Sequence, residues 1–263
     1  MLVFFKNLAK ERLVIWNLAK NDCTARFASS GLGVIWSFLT PLMTILVFWF
    51  VFQVGFKNAP IQNVPFMVWY IPAFLSWNYF SETLIQVTSS LREYKYLVTK
   101  VNFEVSIIPL IKVISYAFIH FAFIFFIIFI NLLYGQKITL YYFQSLYYFF
   151  CMIMLLSSLG WLLSSVAAFI PDVVNVIGIV IQIGFWATPI FWEPSTMNPI
   201  VQSILKLNPM FYICQGYRES FIYQVAFWER PFQTTYFWIF VLVILILGVK
   251  SFTKLRPQFD DVL

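Results

Sequence analysis

The sequence predicts an all-α integral membrane protein built as one domain. Three observations carry that expectation. The 263-residue chain is 61% hydrophobic and only 11% charged, with a mean hydropathy of +0.82, whereas a soluble domain carries about 25% charged residues. Several apolar runs reach about 20 residues, the length a helix needs to cross the hydrocarbon core. The short alternating segments of a membrane β-barrel do not appear.

Residues 1–32 read as a cytoplasmic segment with an amphipathic helix lying on the membrane over 3–20. Phe5, Leu8, Ala9, Leu13 and Trp16 share one helical face, into which Arg12 and Lys20 intrude and must snorkel. Residues 33–252 hold six expected spans: 33–56, 66–88, 109–134, 143–170, 173–192 and 233–252. In the fourth, Gly160, Ser164 and Ala168 form a stripe of small residues suited to close helix packing. Residues 253–263 form a short tail. An even number of crossings places both ends on one side. That side carries twelve Lys and Arg residues against five on the other, so both termini are expected to be cytoplasmic.

The chemistry that is missing narrows the function. There is no P-loop pattern and no H-E-x-x-H pattern. Cys23, Cys151 and Cys214 lie far apart with no C-x-x-C pair, so neither a metal nor a redox site is expected. His120 is the only histidine and sits inside the third span. Glu82 in the second span is costly in lipid, and an amide or hydroxyl on a neighbouring helix would stabilise it. An ion-coupled transporter built on Glu82 and His120 is one alternative; a membrane enzyme would need a polar catalytic cluster that the sequence does not offer. A set of spans with no engine must borrow energy from another chain.

The loop over 89–108 is where an engine would attach. It carries Arg92, Glu93, Lys95, Lys100 and Glu104, and Leu91, Tyr94 and Leu97 recur at three-residue steps as an apolar ridge. A short amphipathic helix of that kind fits a groove on a partner.

The stretch NDCTARFASSGLGVIWSFLTPL, with Asp22, Arg26, Ser30, Leu32, Gly33, Trp36 and Pro41, resembles the approach to the first span in ABC-2 type permeases. These are the membrane subunits of ATP-binding-cassette exporters for polysaccharides. The resemblance continues in order through Trp77, Asn78, Phe80, Lys100, Phe103, Pro189, Asn208-Pro209, Tyr217-Arg218 and the ending KLRPQFDDVL. Pro171-Asp172 departs from it, since relatives often have Arg-Asp there. The resemblance implies a homodimer bound to two copies of a separate ATPase, which alone would bind ATP and magnesium. No catalytic residue, metal or cofactor would belong to this chain. Arg92, Glu93, Tyr94, Lys95, Tyr96, Leu97 and Lys100 would couple to the ATPase, the N-terminal helix would lie at the interface near the substrate's entry, and Arg26, Gly33 and Trp36 would belong to the entry segment of the first span. The cargo would be a lipid-linked O-antigen, teichoic acid or capsule-like glycan leaving across a bacterial inner membrane; an exporter of a small drug or lipid is the nearby alternative. Nucleic acid is not an expected partner.

The segment 193–232 contains two apolar runs too short to span, broken at Asn208-Pro209. Two short helices dipping into the outer leaflet need cover from protein or a water-filled cavity. The segment is therefore expected to form an external gate with Pro189, Pro199, Asn208, Pro209, Tyr217, Arg218 and Glu219, the last two paired. Aromatic residues make up 21% of the chain. Phe38, Ile45, Trp49, Phe52 and Phe56 share a face of the first span, and Phe185 and Trp186 end the fifth. Phe38, Trp49, Phe52, Phe185 and Trp186 are the expected path-lining set, because sugar C–H faces stack on rings.

Overall fold

A computed structural model describes residues 2–26, 31–56, 61, 64–99 and 103–263. The chain order is α1 (Leu2–Lys10), α2 (Arg12–Ala25), α3 (Ile35–Trp49, continued by π-type turns to Gly55), α4 (Phe66–Glu93), α5 (Lys95–Val98) and α6 (Ile108–Leu133). It continues with α7 (Gln144–Phe169), α8 (Val173–Ala187), α9 (Pro199–Leu205), α10 (Pro209–Arg218, continued by a π-type turn to Tyr223), α11 (Pro231–Leu255) and α12 (Phe259–Val262). No strand occurs among the described residues.

Proline and asparagine set several of these limits. Pro199, Pro209 and Pro231 each open a helix, where a missing N–H costs nothing because that group has no intrahelical partner anyway. Asn198 and Asn208 cap α9 and α10 by accepting from the amides of Ile200 and Met210, both at 2.9 Å. The predicted break at Asn208-Pro209 is therefore a helix start with its own cap.

Among the described residues, four helices are both long and apolar enough to cross a membrane: 35–55, 105–133, 140–169 and 231–262. This is fewer than the six runs expected, and the two differences have physical causes. α4 is long enough, but its Ser, Thr, Asn, Gln and Glu residues lower its apolar character. It sits at the centre, packed by α6, α7, α8 and α10. Polar side chains are tolerated in a membrane helix where they face the bundle interior and not lipid. α8 ends at Ala187, not at 192, because Pro189 cannot continue the helix. Its 15 residues rise about 22 Å.

The N-terminal segment also differs from its sequence reading. Two helices meet at Glu11, and the second runs to Ala25. Leu8, Ile15, Ala19 and Asp22 are buried, whereas Leu13 and Trp16 point outward. The reason is that α2 packs lengthwise on α6, which selects a stripe rotated from the expected one.

Two apolar cores result. The larger centres on α4, α6, α7 and α10. The smaller lies at one end, where Leu8, Ile15 and Ala19 meet Leu91, Tyr94, Ile111, Trp161, Phe252 and Phe259. That end also carries most of the Lys and Arg residues and is called the basic end below; the opposite one is the distal end. The small-residue stripe of α7 is buried, and Gly160 faces Val87 of α4.

The tightest approach is α10 on α7. A Cβ at Gly216 would overlap the buried ring of Tyr148. Gly216→Ala is expected to lose about 1–3 kcal/mol, the usual result of overpacking. Thermal unfolding of the purified protein checks this; an unchanged midpoint would contradict the close approach.

Candidate functional site

At the basic end a largely buried network joins α2, α6 and the junction of α4 with α5. Asp22 of α2 accepts from Lys112 Nζ at 2.7 Å, from Tyr94 Oη at 2.6 Å and from Arg26 Nη2 at 3.1 Å. Lys112, near the start of α6, also donates to Glu93 at the end of α4 at 2.6 Å. Arg26 donates to Ser115 Oγ at 2.7 Å, and its guanidinium lies 3.5 Å over the Tyr116 ring. Two acids and two bases balance. An open cavity of about 510 Å³ lies against this network. Nearby, Glu104 forms an ion pair with Arg256 at 3.0 Å and accepts from Asn7 Nδ2 at 3.4 Å, tying the C-terminal tail and α1 to the same end.

The expected coupling residues split here. Arg92, Lys95 and Tyr96 are exposed, Leu97 is half-buried, and Glu93 and Tyr94 turn back into the network. The ridge of Leu91, Tyr94 and Leu97 faces the protein's own core, because α5 is a single turn pinned under Tyr94. Lys100 lies outside the described residues. Arg26 belongs to the network. Gly33 takes φ +55°, a left-handed conformation that favours glycine, and Trp36 is exposed.

At the distal end Arg218 is fully buried. Its Nε donates to the Trp69 carbonyl at 3.2 Å, Nη1 to the Pro189 carbonyl at 2.7 Å and Nη2 to the Ile190 carbonyl at 2.6 Å. The guanidinium stacks 3.5 Å over the Trp69 ring, and Trp69 Nε1 donates to Tyr223 Oη at 2.9 Å. Pro189 ends α8 and leaves backbone acceptors without helical partners; Arg218 supplies the donors. Asn208 Nδ2 adds a bond to Thr188 Oγ1 at 2.8 Å. The expected Arg218–Glu219 pair does not form. Glu219 instead accepts from Arg230 Nε at 3.1 Å, because adjacent helical residues point in different directions. Tyr217 Oη bonds His120 Nε2 at 2.7 Å. Pro199 is exposed at the start of α9.

The model of the ABC-2 type transporter family matches residues 14–222. The chain belongs to the ABC-2 type transporter family. It is 24% identical over 223 residues to the O-antigen export system permease protein RfbA of Myxococcus xanthus, covering 84% of this chain and 85% of that protein. It is 22% identical over 247 residues to the protein of the same name from Klebsiella pneumoniae, covering 94% and 93%. The chain is thus a membrane-embedded transport subunit.

In this ABC-2 permease the five expected path aromatics do not form one wall. Phe38 packs on Phe123, with ring centroids 5.3 Å apart. Phe52 and Phe185 both join Phe191, at 5.7 and 5.5 Å, in a cluster that bridges α3, α4 and the break after α8. Trp49 and Trp186 project outward. Glu82 is bonded by Asn78 Nδ2 at 3.0 Å; the amide is on its own helix one turn earlier, not on a neighbour. Glu82 and His120 thus bond different partners.

Sequence reasoning missed Lys112 and Trp69. Lys112 was legible only as a cytoplasmic cation, and its partner Asp22 is 90 residues away. A lysine near the start of a mostly apolar helix was the available signal.

The network predicts a pH response. Burial pushes the Asp22 carboxyl up, but its bonds to Lys112 and Tyr94 prevail and hold it below the usual carboxylate range. The stabilisation is present above the ordinary value of about 3.9 and is lost as pH falls through the depressed one. Corrected hydrogen exchange of the α2 amides should stay flat from pH 7 to about 5 and rise below about pH 4. An equal rise in Asp22→Asn would assign the response to another group.

Proposed function

We propose that this chain is the membrane half of an ATP-driven exporter of a lipid-linked polysaccharide. Two copies work with two copies of a separate ATPase, which binds ATP and magnesium. α3, α4, α6, α7, α8 and α11 form six crossings of a bacterial inner membrane, with both termini cytoplasmic at the basic end. Family membership and the name shared by both relatives support the cargo class. The apolar faces of α3 and α8, exposed in the single chain, support a second copy.

The observation that carries the reading is the Asp22 network. A partner pressing on α5 moves Tyr94 and Glu93, and these touch α2 and α6 directly through Asp22 and Lys112. A push at the basic end is thereby passed to the helix beside the membrane and to the head of a spanning helix. At the distal end α9 and α10, held by Arg218 and Asn208, form the outer gate.

Exposed residues offer a clean test, since they leave the network intact. Arg92→Glu together with Lys95→Glu should abolish copurification of the ATPase while the permease stays monodisperse and membrane-inserted. Glycan display at the cell surface should fall at least tenfold. Unchanged copurification would remove the coupling role from this turn.

A further inference from the structure

The distal end holds an open cavity of about 550 Å³ bounded by α9, α10, the turn after α10 and the start of α11. Its volume lies within the roughly 300–1,000 Å³ of small-molecule sites. The wall combines Gln202, Gln215 and Gln233 with Trp69, Phe211 and Tyr223. Two acids and two bases also border it: Glu193, Glu219, Lys206 and Arg230. Glu219 is held by Arg230, and the four formal charges cancel, so neither a free anion nor a cation finds an excess of opposite charge. Gln215 and Gln233 are half-buried, and their side-chain amides have no hydrogen-bond partner among the described residues. An amide offers a donor and an acceptor side by side. Vicinal hydroxyls offer the same pair. Trp69 is itself buried behind the wall, with Arg218 stacked on it, and its Nε1 holds the hydroxyl of the half-buried Tyr223 at 2.9 Å. The Tyr223 ring, fixed in this way, is the apolar platform that the cavity can reach beside the two amides.

We propose that this cavity is a saccharide subsite that takes one or two neutral sugar rings, with Gln215 and Gln233 reading hydroxyl pairs and the half-buried Tyr223 ring taking a C–H face. The inference rests on the glycan-export reading and deepens it by giving the emerging chain a resting place beside the outer gate. The subsite lies on each subunit, built by α4 and residues 193–233, and needs no second copy.

The test uses the full-length permease in lipid nanodiscs and a panel of methyl glycosides of mannose, rhamnose, galactose and N-acetylglucosamine with their disaccharides. Saturation-transfer NMR should detect at least one, with myo-inositol as the polyol control. Gln215→Ala with Gln233→Ala should weaken that signal about fivefold or more, since each lost neutral hydrogen bond is worth a few-fold in affinity. Gln215→Trp, which fills the cavity from a half-buried position, should abolish it. No transfer to the native protein, equal transfer in all variants, or an equal signal from myo-inositol would overturn the subsite. Surface display of glycan, measured in parallel with the ATPase present, separates the two readings. Export without sugar binding sinks the subsite alone; sugar binding without glycan export supports the subsite and sinks the transport reading.

Discussion

Arg218→Met is expected to destabilise the protein by about 3 kcal/mol and to release the backbone between α8 and α9. The side chain is fully buried and serves three carbonyls on two separate segments, Trp69 on α4 and Pro189 and Ile190 after α8. Methionine keeps most of the stem's packing but supplies no donor. Each buried carbonyl left unmade costs about 1–3 kcal/mol. Losing the guanidinium also removes its own desolvation cost, which opposes that loss, so the sum of three full penalties is not expected. A loss of about 3 kcal/mol is still a large share of the roughly 5–15 kcal/mol that holds a domain together.

Arg218→Lys separates charge from geometry. A single ammonium keeps the cation, but it lacks the planar fork that reaches Pro189 and Ile190 together while stacking on Trp69. It should recover less than half of the stability lost in Arg218→Met. Hydrogen exchange over residues 188–193 should rise in both variants, because the segment has lost its clamp. If Arg218→Met unfolds within about 1 kcal/mol of the native protein, the carbonyls have other donors and the clamp is not what holds the broken segment.

The segments that could be read from sequence are those whose limits are local. Asn208-Pro209 marks a cap and a first helical position in adjacent residues, and the structure places α10 there. The fourth span, expected at 143–170, is found as α7 at 144–169, since neither a charge nor a proline interrupts it. The reading failed where partners decide. The second span, expected at 66–88, is α4 at 66–93, and what the sequence does not show is that α6, α7, α8 and α10 surround its Ser and Thr positions. The buried stripe of α1 and α2 is rotated because α6 is the surface it meets. Arg218 and Glu219 are neighbours in sequence, yet each finds its partner elsewhere: Glu219 bonds Arg230, eleven residues on, and Arg218 bonds backbone up to 149 residues away. Pairing from adjacency fails on a helix because successive side chains diverge by about 100°. The Asp22–Lys112 contact spans 90 residues, and a single sequence carries no trace of which distant acid a buried lysine will meet.

Lys112→Met tests that contact and the coupling reading together. The variant leaves Asp22 buried beside Tyr94 and Arg26 and leaves Glu93 half-exposed. Arg26 still compensates the Asp22 charge, so the loss is expected below the penalty for a bare buried ion, at about 1.5–3 kcal/mol, the worth of a hydrogen bond to a charged group. Nearly all of that should come from Asp22, since Glu93 can turn toward water. The double variant Lys112→Met with Asp22→Asn removes both charges and should be more stable than Lys112→Met alone, a non-additivity that marks direct contact. Additive losses would mean that the two groups do not sense each other. The functional outcome divides binding from transmission. Arg92 and Lys95 stay in place on the exposed side of the turn, so the ATPase should still copurify with the double variant. Its ATP hydrolysis should continue while glycan export falls at least tenfold, because α5 no longer holds α2 and α6 through Asp22. Full export by the double variant would show that the push from the ATPase enters the membrane by another route.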